Sequence, residues 1–209
     1  MVETLSITSG AAGLQALVAR AVGLDELASA RFRQLTPEVV DVFVTTPFNV
    51  TASRRVFGVA GRDGAAVGAK DLLQALSEGR EDVGTSRDAS WPGSLPPATG
   101  FTLVDELPTH VVRTLADQGQ ALARQFSGPL GPPASLMDQE VISAEGNGKK
   151  AGIPMRTVFT CTSLGLIPGF EAANDVPRHL RVSVYGRWTP VDAPYGSVYH
   201  SSGLGLSVF

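Results

Sequence analysis

Strand-like segments joined by short connections restrict the fold of this sequence more than any other feature. Three of them, ARFRQL (30–35), EVVDVFVTT (38–46) and NVTASRRVFGV (49–59), are rich in Val, Phe and Thr and are punctuated by Pro37 and Pro47. Consecutive strands with only a few residues between them pair antiparallel, because a parallel pair needs a long crossover. The sequence therefore predicts an antiparallel meander and disfavours a doubly wound parallel sheet.

Helical patterns on either side of this meander divide the chain into two halves. A helix over 11–22 carries one apolar stripe, made by Leu14, Leu17, Val18, Ala21 and Val22. With a second helix over 66–79, residues 1–79 form an αβββα half. Residues 100–209 form a βαββαββ half, with helices over 109–126 and 157–166. We therefore predict an α+β fold, mainly antiparallel sheet with helices packed on it, in two similar-sized halves.

The segment between the halves has no periodicity. Residues 80–99, REDVGTSRDASWPGSLPPAT, form a Pro/Gly/Ser-rich crossing, and the halves are either two domains or one compact domain. Trp91 lies within this segment, and a lone tryptophan in a connection usually anchors it to a neighbouring surface. We expect Trp91 to be buried.

The helix over 109–126 contains a glycine in its predicted apolar stripe. The stripe is formed by Val111, Leu115, Gly119, Leu122 and Phe126. A glycine in this position costs about 1 kcal/mol in helix propensity. We expect Gly119 to allow the close approach of another element.

The stretch EGNGKKAGIP (145–154) contains glycines at the spacing of a dinucleotide-binding loop, but its context is different. Such a loop must open a helix directly, whereas Pro154 places the next helix several residues too late. Asn147 and Gly148 between strand-like runs instead favour a type I′ hairpin, with both residues at positive φ. We predict strands over about 140–145 and 149–153.

The clearest strand signal is RVSVYGRW (181–188), in which apolar and polar residues alternate. TPVDAP is predicted to turn the chain, YGSVYH to pair back as a hairpin, and the alternating Leu204, Leu206 and Val208 to add an edge strand. The polar face of this hairpin is the predicted site for binding a ligand or partner. Its residues are Arg181, Tyr185 and Arg187 on one strand and Tyr195 and Tyr199 on the other. Guanidinium groups supply charge and planar stacking, and tyrosine supplies adaptable contacts.

Few residues have the spacing of catalytic chemistry. No G-x-S-x-G elbow occurs, the three histidines lie far apart in the sequence, and Cys161 in TCTS is expected to be a buried structural thiol. Asp138 and Glu140 would share one face of a strand, where general acid chemistry could use them. We expect no catalytic residue, no metal and no cofactor.

Composition restricts the partners. A net charge of −3 argues against a chain that coats nucleic acid or anionic lipid. The single cysteine calls for no oxidising compartment, and neither a signal peptide nor a membrane span is predicted, so we expect a cytoplasmic protein.

Several stretches resemble a group of proteins of similar length from high-GC Gram-positive bacteria for which no activity is known. They are LPPATGF, the long helix, DQEV, GIPMR, GRW and YGSVY, and the resemblance extends across most of the chain. The resemblance implies a bacterial cytosolic setting and no catalytic residue.

The leading hypothesis is a non-enzymatic protein that binds an unknown protein or a small anionic ligand through the Arg and Tyr face. One alternative is a small-molecule enzyme with a carboxylate site between the halves, formed by Asp138 and Glu140 with a distant histidine. Another is a weak nucleic-acid binder that uses a helix and hairpin wing (154–200). Self-association stays open.

Overall fold

The computed structural model describes residues 1–126, 133–169 and 171–202 and divides the chain into two compact units, Met1–Ala98 and Thr99–Phe209. The fold is α+β, with mainly antiparallel sheet and helices packed on it, as predicted. The predicted edge strand with Leu204, Leu206 and Val208 lies outside the described residues.

The first unit contains six strands and two main helices within the described chain. In order they are β1 (Val2–Ser9), α1 (Ala11–Leu24), β2 (Ser29–Thr36), β3 (Val39–Thr45), β4 (Thr51–Ala60), β5 (Ala66–Gly68), α2 (Ala69–Glu78) and β6 (Asp82–Thr85). The sheet runs β5-β2-β3-β4, and β1 pairs with both β4 and β6, every pair being antiparallel. The predicted meander is therefore confirmed as β2, β3 and β4.

The core of this unit lies under the predicted helical stripe. Leu14, Leu17 and Val18 of α1 are buried together with Phe32 and Phe43 of the sheet. Their burial fixes α1 on the sheet, because each large apolar side chain removed from water contributes about 1.5–3 kcal/mol.

The sequence pattern missed β1 because its inward face carries a charge. Glu3 of β1 is 3% exposed and accepts a 2.6 Å bond from Arg62 Nη2, and Arg62 also lies 2.7 Å from Asp88 Oδ2. A buried carboxylate with a guanidinium partner breaks the alternation of apolar and polar residues by which a strand is recognised.

The segment 80–99 is more ordered than its composition indicates. It contains β6 and a short 3₁₀ turn, Asp88–Ser90. Trp91 is buried as predicted, with the Arg31 guanidinium carbon 5.9 Å from its ring centroid, and Arg33 donates to the Pro96 carbonyl. The segment therefore lies against the first unit.

The second unit contains the remaining elements of the described chain. They are β7 (Thr102–Pro108), α3 (Thr109–Phe126), α4 (Ala134–Asp138), β8 (Glu140–Gly146), β9 (Lys149–Pro154), α5 (Met155–Ser163), β10 (His179–Val184), β11 (Trp188–Ala193) and β12 (Gly196–Ser201). The antiparallel sheet runs β12-β11-β10-β7, and β8 and β9 form a separate hairpin.

Helix α3 packs through a different face from the predicted stripe. Val111 and Leu122 are exposed to 37% and 43%, whereas Val112, Ala116 and Ala123 are buried. Gly119 lies on this buried face, where an added Cβ would come within 2.7 Å of Met155 Sδ of α5. The predicted close approach at Gly119 is thus confirmed. It also explains why the predicted stripe was wrong, because two helices can lie this close only where the residues that face each other are small.

The hairpin prediction is confirmed. Asn147 and Gly148 have φ values of 51° and 69°, and Gly146 pairs with Lys149 across the turn. The dinucleotide loop is therefore excluded.

No helix among the described residues is both long and apolar enough to cross a bilayer.

Candidate binding groove

A tight turn interrupts the predicted strand over 181–188. Strand β10 ends at Val184, and the chain reverses through Gly186 at φ 55°. Tyr185 N–H donates to the Trp188 carbonyl at 3.0 Å, and Trp188 N–H returns a bond of 2.9 Å to Tyr185. The glycine supplies the left-handed conformation that a two-residue turn needs. Trp188 then opens β11, which occupies the TPVDAP stretch predicted to be a turn.

The turn separates the residues predicted to share one face. Arg181 lies within β10, with its Nε 3.8 Å from Glu106 Oε1, whereas Tyr185 and Arg187 lie at the turn. Tyr195 precedes β12 and its N–H donates to the Leu166 carbonyl at 3.1 Å. Arg181 and Tyr195 thus contact other parts of the unit, and Tyr185 and Arg187 remain together.

Phe101 connects two of the predicted tyrosines. Its ring centroid lies 6.0 Å from that of Tyr185, with an interplanar angle of 69°, and 6.4 Å from that of Tyr199. Edge-to-face contacts of this kind add about 0.5–1.5 kcal/mol beyond the area they bury. Tyr185 is nevertheless 50% exposed, so part of its ring is open to a ligand. No sequence pattern singled out Phe101 as a site residue; its aromatic character next to Gly100 was the available signal.

The turn forms one wall of a cavity of about 710 Å³, which we call the groove. Residues from four parts of the second unit line it. They are Gly100 and Thr102 near the start of β7, Glu140, Lys149, Lys150, Ala151 and Gly152 of the hairpin, Val184, Tyr185, Gly186 and Arg187 at the turn, and Thr189, His200 and Ser202 of the last two strands. Ligand pockets typically enclose about 300–1,000 Å³, so the groove is large enough for a ligand.

Basic side chains dominate the charge of the groove. Two of the three lysines of the chain, Lys149 and Lys150, lie there with Arg187. The Arg187 guanidinium carbon lies 5.3 Å from the centroid of the Trp188 ring, a cation–π distance that restricts the side chain. Of the described residues that line the groove, Glu140 alone is acidic. The groove is therefore a positive site on a chain of negative net charge.

Lys150 has a carboxylate neighbour on the other hairpin strand. Its Nζ lies 2.6 Å from Glu145 Oε1. This hydrogen bond lowers the pKa of Glu145 and raises the pKa of Lys150 above their ordinary values. Both groups are therefore charged at neutral pH.

His200 supplies a neutral polar group. Partial burial lowers its pKa below the ordinary 6.5, the charge of Arg156 lowers it further, and Asp138 acts in the opposite direction. At pH 7 the imidazole is therefore uncharged and presents one donor and one acceptor.

The carboxylates predicted to share a strand face do not do so. Asp138 is the last residue of α4 and forms an ion pair with Arg156, whereas Glu140 begins β8 and lines the groove. The helical conformation at Asp138 breaks the period of two on which the prediction depended. Both residues belong to the second unit.

The three histidines occupy different surroundings. His200 lines the groove with Glu140, and His179 Nε2 lies 3.9 Å from Glu106 Oε2. His110 lines a smaller cavity of about 310 Å³ between α3 and the end of α5, which also contains Arg113 and Asp117.

Cys161 is a buried thiol, as predicted. It is 1% exposed, and burial raises its pKa to about 12. A thiol with this pKa holds almost no thiolate at neutral pH, so Cys161 is not a nucleophile. In the described part of the chain, no three His, Cys, Asp or Glu side chains are grouped as metal ligands would be.

Family models match both units. Residues 96–205, more than half of the chain, match a domain of unknown function (DUF8185), and residues 2–93 match another (DUF8010). No functionally curated protein matches the sequence.

Solved structures with a similar fold include bacterial sliding clamps. The DNA polymerase III beta chain of Streptococcus pneumoniae matches with a TM-score of 0.54 at 7% identity, over 99% of this chain and 67% of that chain. The DNA polymerase sliding clamp of Pseudomonas aeruginosa gives 0.55 at 10% identity, over 98% and 65%. That of Caulobacter crescentus gives 0.55 at 9% identity, over 99% and 67%. The chain therefore has the fold of about two thirds of a clamp subunit, and identities this low show the fold alone.

Proposed function

The chain belongs to the DUF8185 family. For this member we propose a non-enzymatic binding function, in which the second unit holds an anionic partner in the groove. The observation that carries this proposal is the joint presence of Lys149, Lys150 and Arg187 around a half-exposed tyrosine ring.

Electrostatics supports an anionic partner. Lys149, Lys150 and Arg187 outnumber the two nearby carboxylates, Glu140 in the lining and Glu145 beside Lys150. The groove therefore differs in sign from the whole chain, whose net charge is −3. A concave wall concentrates such a field and attracts ions of opposite charge. Arg187, restricted by the Trp188 ring, loses less conformational entropy on binding than a free arginine would.

The aromatic residues support a partner with apolar or planar groups. Tyr185 contacts the Phe101 ring and is 50% exposed. A tyrosine held in this way gives contact area at low entropic cost, which is why tyrosine and arginine are enriched at binding surfaces. Tyr199 also contacts the Phe101 ring and so helps to hold it in place.

The structure offers a matched pair of variants for testing the proposal. We expect a protein carrying Tyr185→Ala and Arg187→Ala to lose the partners that the wild type captures from its native cells, as measured by mass spectrometry. The control is Arg181→Ala, which removes an arginine of β10 that faces Glu106 and lies outside the groove lining. Retention of all partners by the double variant, with an unchanged melting temperature, would reject the groove as the site.

A carboxylate enzyme is the competing proposal. Glu140 and His200 line the same cavity. In such an enzyme, one of them would take a proton from the substrate or donate one to it. Mass spectrometry of a captured small ligand after incubation decides between the two, because a binding protein returns the ligand unchanged.

A role on DNA is a second candidate, and the fold favours it. The solved structures that match nearly the whole chain are sliding clamps of DNA polymerase III. Against it, the net charge is negative and binding to DNA rests largely on contacts to phosphate. Anisotropy of a labelled duplex at about 50 and about 200 mM salt tests this role, since phosphate contacts weaken steeply over that range.

A further inference from the structure

Strand β9 has one paired edge and one open edge. In the described chain it pairs with β8 alone, in a sheet of two strands. A strand edge without a partner carries a row of backbone donors and acceptors available to another chain.

The register shows which residues of β9 present these groups. A two-residue turn is closed by bonds between the residues that flank it, which are Gly146 and Lys149. In an antiparallel pair, hydrogen-bonded and non-hydrogen-bonded positions alternate. Lys149 and Ala151 therefore bond to β8, and Lys150 and Gly152 direct their N–H and C=O groups to the open edge.

The groove lies along this open edge. Its lining includes four consecutive residues, Lys149 to Gly152. Side chains of a strand alternate between its two faces, so a cavity that touches four in succession follows the edge of the strand and not one face. At about 3.3 Å per residue, this edge spans about 10–13 Å.

We propose that the groove takes an extended acidic peptide segment of a partner protein, which adds to β9 as a third strand. This inference rests on the proposed function, because it names the kind of partner that the groove holds. The backbone of the peptide pairs with Lys150 and Gly152. Its carboxylates lie near Lys149, Lys150 and Arg187, and an apolar side chain contacts the exposed part of the Tyr185 ring.

The open edge favours a peptide over other anions. Phosphate or nucleic acid would meet the cations of the groove, but neither carries the alternating N–H and C=O groups that match a strand edge. Strand addition obtains affinity from main-chain hydrogen bonds and specificity from the side chains around the groove. The charge of the groove then selects acidic segments over basic ones.

The binding experiment uses the full chain and a fluorescein-labelled peptide, EVEVEVE, blocked at both ends. Fluorescence anisotropy should show saturable binding of this peptide and none of KVKVKVK. Inorganic phosphate and an oligothymidine of seven nucleotides serve as competitors and should displace the peptide weakly.

Two variants of one residue separate the backbone bond from the added volume. Both Gly152→Pro and Gly152→Ala add a Cβ, which would meet the Glu140 side chain. Only the proline variant also removes the outward N–H. We expect the proline variant to bind the peptide about tenfold more weakly than the alanine variant, the effect of one lost hydrogen bond. Lys149→Gln and Arg187→Gln should weaken binding as well, whereas Lys70→Gln in the first unit should not.

Amide hydrogen exchange on the wild type provides a measurement that needs no variant. The peptide should slow exchange at Lys150 and Gly152 and leave Lys149 and Ala151, already bonded to β8, nearly unchanged.

Three outcomes would overturn the inference. They are equal binding by the two Gly152 variants with no protection at Lys150 and Gly152, equal binding of EVEVEVE and KVKVKVK, and preferential binding of oligothymidine or phosphate. The last would leave the proposed function intact, because an anion would still occupy the groove. Failure of the proposed function itself would appear separately, as native partners retained by the variant carrying Tyr185→Ala and Arg187→Ala.

Discussion

Gly119 shows how a single residue sets the distance between two helices. The absence of a Cβ there lets α3 approach Met155 and Phe159 of α5, which are both buried. The cost in helix propensity, about 1 kcal/mol, is offset by this contact. Gly23 in α1 has no such neighbour within 4 Å.

Alanine at these two glycines should act in opposite directions. We expect Gly119→Ala to lower the free energy of unfolding by about 1 kcal/mol net, because overpacking at about 1–3 kcal/mol exceeds the gain in helix propensity. Gly23→Ala should raise it by about 0.5–1 kcal/mol. Urea denaturation of both variants measures the difference, and a stabilised Gly119→Ala variant would contradict the close packing of α3 on α5.

His200 gives the second unit a specific dependence on pH. Its pKa is lower in the folded state than in the unfolded chain, so the unfolded state binds more protons as the pH falls below about 6.5. The neutral imidazole therefore contributes fully to the free energy of unfolding above the pKa that His200 has in the unfolded chain. This contribution is lost as the pH falls through the lower pKa of the folded state. We expect the melting temperature of the wild type to drop more between pH 7.5 and pH 5.5 than that of His200→Gln, with carboxylates common to both proteins cancelling in the comparison. Equal drops would show that His200 titrates as in the unfolded chain.

At the scale of elements, the β8–β9 hairpin is held against β7 by backbone contacts. A Cβ at Gly146 would collide with the Val104 carbonyl oxygen of β7, and Asn147 Nδ2 donates to the Leu103 carbonyl at 2.9 Å. The hairpin forms one wall of the groove, so its packing against β7 also positions Lys149 and Lys150.

Gly146→Ala should displace the hairpin. We expect a loss of about 1–3 kcal/mol in the free energy of unfolding, because the new methyl group meets backbone that cannot rotate away. Faster amide exchange over residues 149–153 locates the effect. Gly169→Ala, at a site with no neighbour within 4 Å, is the matched control and should leave both quantities unchanged.

Elements with a regular pattern were predictable from the sequence, and those that break a rule were not. The stripe of α1 and the Asn147-Gly148 turn each follow one physical preference, and both are confirmed. Strand β11 contains Pro190, a residue that usually excludes a central strand, so the sequence predicts a turn there. The groove itself is lined by residues as far apart in the chain as Gly100 and Ser202, which no local pattern brings together.

At the scale of the molecule, each unit has its own buried core. Phe32 and Phe43 lie in the first, and Leu180 and Val182 in the second. The match to sliding clamps at 7–10% identity shows that this fold occurs in chains with few residues in common.

Separate expression of the units tests their independence. We expect residues 1–98 and 99–209 each to unfold cooperatively, with melting curves by circular dichroism that are sigmoidal, because each has a buried core of its own. A fragment without a transition would show that its core needs the other unit.

The burial of Trp91 gives the molecule an optical asymmetry. The chain has two tryptophans, Trp91 in the first unit and Trp188 in the second. Trp91 is 7% exposed, whereas Trp188 is more accessible and lies under Arg187 beside the groove. The emission of Trp91 should therefore be blue-shifted and insensitive to iodide, and that of Trp188 should respond to any ligand that moves Arg187. Each unit thus carries its own intrinsic fluorophore, and Trp188→Phe or Trp91→Phe isolates the signal of the other.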